Sequence, residues 1–324
     1  MNILPTVHVQ TIRQAADTRL LKLIMPALAC TFFASACDLG KVTVNTTSKV
    51  LWRAQAGIQQ ESDYDLAARA LPGTLKTVEG FWYVDKKNPR LTEILAQGFC
   101  QYALGFIEDE WELEELSRDL EGADYQAGRA TKSYVRCMNY ALLLLGKKWE
   151  KNILGEFDTV RSMLDRFKGN RNALMWAGIG LAGTIKMNKD KIDIVAQLPI
   201  AKMILEKVEQ IDNAKNSQEL GLRVLPLTAL GILYSSQGKS LGGKPEKAKE
   251  YFLKALEITS DRFLLARVLY ARQYAVMIQD RELFREQLVK VLQTDPAIWP
   301  EQRLANEIAH RRARRYLKHE KEWF

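Results

Sequence analysis

The chain has 324 residues, 47% hydrophobic and 27% charged with nine prolines, so it can bury a sizeable core and is not compositionally disordered. Its formal net charge of +8 is segregated: residues 303–321 hold seven Lys/Arg against two Glu, while residues 108–124 hold nine acids against one Arg. A nucleic-acid binder needs a broad phosphate-neutralising face, and charge segregated in this way sets that class aside.

Taken in chain order, the N-terminal end is the first informative stretch. Arg13, Arg19 and Lys22 precede the apolar run "LIMPALACTFFASA" (23–36), which is too short to span a bilayer and fits the core of a secretory signal. The small triplet Ala34-Ser35-Ala36 directly before Cys37 resembles a bacterial lipobox, with Ala34 where leucine is usual. This predicts a lipoprotein signal over 1–36, lipid attachment at Cys37, and a short polar tether over 37–48. A secreted chain meets oxidising conditions. Only Cys100 and Cys137 lie beyond Cys37, and they are read as two buried free thiols, a disulfide between them being the alternative.

From there the pattern is helical throughout. Helices are expected near 46–60, 63–70, 74–85, 91–109, 112–120, 128–146, 154–168, 171–187, 193–212, 218–237, 245–258, 262–278, 281–294 and 300–321, with no strand run of alternating β-branched residues. The fold class is therefore all-α, a single domain over 49–324. Pro72-Gly73 reads as a break between two short helices, and Asn88-Pro89 and Trp299-Pro300 as helix starts. The acidic run 108–124 reads as a solvated helix face, with docking of a basic partner as the sharper alternative. "ALMWAGIGLAG" (173–183) holds three glycines that each cost helix propensity, which predicts close helix–helix contact there.

A degraded tetratricopeptide pattern follows. Leu227, Leu230-Gly231 and Tyr234 have the spacing of a first repeat helix, and Ala248, Phe252 and Ala255 that of a second. Leu264, Val268, Ala271, Ala275 and Ile278 form a further apolar stripe, with Phe284, Leu288 and Val291 as its partner. An array of antiparallel helix hairpins forming a tetratricopeptide-like superhelix is expected. The basic segment "HRRARRYLKHEK" reads as a solvated face, lipid headgroups or an acidic partner being the alternatives.

Catalytic and cofactor chemistry is not expected. The three histidines are His8, His310 and His319, which do not combine with the cysteines into a zinc set or a nucleophile–base pair. "GKSLGGK" (238–244) lacks the upstream glycine and the preceding strand of a phosphate loop.

Two stretches are more specific. One carries Leu71-Pro72-Gly73, Leu75-Lys76, Glu79, Asn88-Pro89, Tyr102-Ala103-x-Gly105-Phe106 and Glu108-Asp109. The other carries Asp280, Phe284, Asp295-Pro296, Trp299-Pro300-Glu301 and Arg303-Leu304-Ala305-Asn306. Together they resemble the TRAP-transporter-associated tetratricopeptide lipoproteins. The resemblance implies an all-α lipoprotein that forms a homotrimer with a largely apolar pore through each protomer. It also implies a periplasmic solute-binding protein as partner and an organic-acid or apolar ligand, at residues the sequence does not identify. The competing readings are a generic tetratricopeptide scaffold for envelope assembly and, more distantly, an envelope hydrolase.

Overall fold

The computed structural model describes residues 39–215, 219–236 and 243–324. The expected signal (1–36), Cys37 and most of the 238–244 loop lie outside the described residues. The chain divides into two compact units, residues 1–47 and 48–324.

Helix α1 (Leu39–Gln59) begins well before the expected start at residue 46, so most of the predicted tether is helical. The stretch holds the β-branched run "VTVNTT". Those residues cost only tenths of a kcal/mol each in a helix, and Thr43 and Thr46 return their hydroxyls to the carbonyls of Leu39 (2.9 Å) and Val42 (3.1 Å).

In the larger unit every described element is helical, as the periodicity predicts. Helix α2 (Tyr64–Val84) starts at Asp63, whose carboxylate accepts from the backbone of Asp65 and Leu66. It runs unbroken through Pro72, against the expected break. A proline inside a helix costs about 3 kcal/mol. Its buried stripe of Ala67, Leu71, Leu75 and Val78 passes across the proline, and each large apolar side chain buried returns about 1.5–3 kcal/mol. Packing of that stripe against α3 (Pro89–Tyr102) therefore outweighs the lost hydrogen bond.

A π turn over Ala103–Ile107 joins α3 to α4 (Glu108–Ser117) without the interruption expected near residue 110. Next come α5 (Leu120–Leu145), α6 (Lys147–Asn152), α7 (Phe157–Asp165) and α8 (Arg171–Lys186). The helix expected over 154–168 is thus the shorter α7, and α6 is a short helix where none was expected. Then follow α9 (Ile192–Val195), α10 (Leu198–Lys215), α11 (Leu220–Ser235), α12 (Pro245–Ile258), α13 (Leu264–Leu269), a second π turn (Tyr270–Ala275), α14 (Arg281–Gln293) and α15 (Arg303–Lys318).

The core is densest where α8 lies between α5 and α10. A Cβ on Gly178 would meet Ile204 at 2.8 Å, on Gly180 the Tyr134 carbonyl at 2.9 Å, and on Gly183 it would run into the Tyr134 ring. The three glycines exist for close approach, as expected. Arg171 and Asp212 add a buried ion pair joining α8 to α10, and the same guanidinium reaches the Leu222 carbonyl (3.2 Å).

Cys100 on α3 and Cys137 on α5 form a disulfide, with Cα atoms 5.3 Å apart. This corrects the reading of two free thiols. Helical spacing places each cysteine on a buried face but does not say that the two faces oppose each other. Here they do, because α3 and α5 are neighbours clamped one residue away on α3 by Ser133 Oγ donating to the Phe99 carbonyl at 2.9 Å.

Candidate functional site

Two assemblies of side chains stand out, one buried and one open. The buried one joins the acidic start of α4 to the basic helix α15. Glu108 and Glu112 lie one turn apart on α4 with Asp109 next to Glu108, a 0, +1, +4 spacing that Arg311, Arg312 and Arg315 repeat on α15. Asp109 meets Arg311 at 2.7 Å and Arg315 at 2.6 Å, with Arg312 at 3.6 Å. Glu112 meets Arg315 at 2.5 Å and accepts from the Tyr316 hydroxyl at 2.7 Å. Glu108 turns the other way, to Lys186 of α8 (2.8 Å) and the Tyr134 hydroxyl (2.6 Å).

The π turn contributes directly. It gives the Glu108 N–H to the Ala103 carbonyl, where α-helical register would give it to Leu104. The Leu104 carbonyl accepts from Arg312 at 2.5 Å, and Ile308 packs over Gly105 next to it. A π turn of this kind commonly marks a specialised site.

The electrostatics follow from this geometry. Burial by itself would raise the Asp109 and Glu112 carboxyls, but the opposing guanidiniums of Arg312 and Arg315 outweigh it and hold both below the ordinary carboxylate range. Glu110, Glu115, Asp119, Glu121 and Asp124 are exposed, as the solvated reading expects, and so are Arg314 and Lys318. The buried parts of the two segments, Asp109 and Glu112 against Arg312 and Arg315, are not the solvated faces that the sequence suggested. Each is the other's partner. The signal was the matched spacing of opposite charges, invisible until the two helices are brought together.

The open assembly is a groove of about 410 Å³ between the end of α2, the outer face of α5 and the start of α6. Trp82 and Tyr83 come from α2, Arg136, Asn139, Tyr140, Leu142 and Leu143 from α5, and Glu150 from α6. Its aromatic wall is fixed in place. Trp82 donates to Thr92 Oγ1 (3.1 Å) and stands edge-on to Tyr140 with centroids 5.2 Å apart. Tyr140 stacks parallel to Phe99 at 5.9 Å and donates its hydroxyl to Glu79 at 2.7 Å. Arg136 lies over the Phe99 ring at 5.3 Å, and Lys86 over Tyr83 at 5.1 Å. The sequence pattern does not mark the groove. No periodicity marks Tyr83, which is 63% exposed.

A smaller hollow of about 220 Å³ lies nearby, lined in part by Trp149, Met163 and Phe167. His310 is occupied elsewhere, its Nε2 lying 2.9 Å from the Thr294 carbonyl.

Both assemblies fall inside the region matched by a known family. The family model described as TRAP transporter T-component matches residues 60–324. A protein of Treponema pallidum (strain Nichols), described as uncharacterized, is 25% identical over 271 residues, which is 82% of this chain and 81% of that protein. The family match takes in α2 through α15, with the groove, the disulfide and the α4–α15 contact: the chain belongs to the TRAP transporter T-component family.

Proposed function

We propose that this protein is the periplasm-facing lipoprotein accessory of a TRAP transporter, one that passes or sequesters an organic-acid or apolar ligand in concert with a solute-binding protein. The observation that carries the proposal is the match to a transport-component family over residues 60–324. The Cys100–Cys137 disulfide supports an oxidising, extracytoplasmic compartment, since such bonds rarely persist in a reducing cytosol. In this reading residues 1–36 are a cleaved signal, Cys37 carries the lipid, and no catalytic step is involved. The helices form a tetratricopeptide-like superhelix around an apolar pore, and the protein works as a homotrimer. The return of α15 onto α4 favours an enclosed path over the open peptide groove of a generic scaffold.

Affinity capture of the protein from its native envelope, followed by mass spectrometry, tests the partnership. A solute-binding protein of a TRAP system is the expected co-purifying species. Recovery of envelope-assembly factors without one overturns the reading. The anchor is tested by metabolic labelling with palmitate, which Cys37→Ala is expected to abolish.

A further inference from the structure

We propose that the groove between α2 and α5 binds a small organic carboxylate with a flat or apolar body, held by Arg136 against the wall of Trp82, Tyr83 and Tyr140. Its volume of about 410 Å³ lies within the ~300–1,000 Å³ of small-molecule sites. The walls are those of such a site, largely apolar with a few directed polar groups. Tyr140 and Trp82 are held by hydrogen bonds and ring contacts, so the aromatic surface is formed before any ligand arrives.

Arg136 is the group that sets the ligand's charge. Its guanidinium is braced over the Phe99 ring, and among the described residues no carboxylate lies within ion-pair distance of it. The acid whose ionisation it favours, Glu79, is already committed to Lys76 and the Tyr140 hydroxyl. A planar fork of donors without a carboxylate, next to aromatic surface, matches a ligand carboxylate in two-point geometry. Lys86 adds a second cation at the rim, over Trp82 and Tyr83. Glu150 is the one acid on the groove wall. It opposes a second negative charge, which restricts the ligand to a single carboxylate.

This deepens the ligand-handling reading above but is measured on the isolated protein, so a missing partner and an empty groove are separate results. The intact protein is titrated calorimetrically with phenylacetate and hexanoate, and with phenylacetamide and phenethylammonium as neutral and cationic counterparts. The carboxylates are expected to bind at least about tenfold more tightly than either counterpart. Arg136→Ala is expected to weaken them about tenfold or more, with Arg136→Lys intermediate and Glu150→Gln tighter than wild type. Arg136 is solvent-exposed on α5, so an unchanged melting temperature is expected to show that the variant is folded. Tyr83→Ala, at the rim, supplies a second variant with weakened binding. The proposal is overturned if neither carboxylate binds at roughly 20 mM, if phenethylammonium is preferred, or if folded Arg136→Ala binds like wild type.

Discussion

At the scale of single residues, glycine is the most misleading letter in this chain. Gly73 reads as punctuation and Gly80 falls inside the helix expected over 74–85, yet a Cβ at either would meet nothing within 4 Å, and both sit inside α2. Gly231 is the opposite case, with the Phe252 ring 2.7 Å from where its Cβ would be. Gly80→Ala is therefore expected to stabilise the fold by about 0.5–1 kcal/mol, through helix propensity alone. Gly231→Ala is expected to destabilise it by about 1–3 kcal/mol, through overpacking against a fully buried ring. Chemical denaturation of the two variants checks both signs. The Gly231–Phe252 contact was legible in the sequence because repeat spacing encodes it. The freedom around Gly80 was not, because a lone glycine carries no record of its surroundings.

At the scale of elements, the instructive pair is α4 with α15. Local pattern placed α15, put a break inside α4, and missed which positions of both are buried. Helical charge runs are usually solvated, and no local rule couples positions some 200 residues apart. The buried network makes removal of one member costly, because its partners stay buried and charged. Asp109→Asn is expected to cost about 3–5 kcal/mol in equilibrium unfolding. The pH response has a definite sign. Asp109 and Glu112 ionise at lower pH when folded than when unfolded, so their contribution is present above the ordinary carboxylate range and is lost as pH falls through it. Unfolding free energy is expected to drop between about pH 5 and pH 2, and to drop less steeply in Asp109→Asn/Glu112→Gln. The boundary misreadings have the same physical origin. Tertiary packing carried α2 through Pro72 and joined α3 to α4 through a π turn, where local propensity predicted stops.

At the scale of the whole molecule, the cysteine pair fastens α3 to α5 at the near end of the chain, closing a loop of 37 residues in sequence separation. Reduction, or Cys137→Ser, is expected to lower stability by about 2–5 kcal/mol and to make the melting temperature sensitive to reductant. The fold class, the small-residue packing of α8 and the family were all readable from residues. The groove was not, since it is assembled from the ends of α2, α5 and α6, and only the arrangement of those elements brings Trp82, Arg136 and Glu150 to one place.

The contact between α4 and α15 also gives the chain a sense of its own completeness. Synthesis runs from the N-terminus, so Asp109 and Glu112 are made about 200 residues before Arg311, Arg312 and Arg315. At ~5–20 residues per second that is a wait of roughly 10–40 s, during which the two carboxylates must stay hydrated. A chain cut short before α15 carries that unmatched negative charge permanently, and is marked as unfinished by its own N-terminal half.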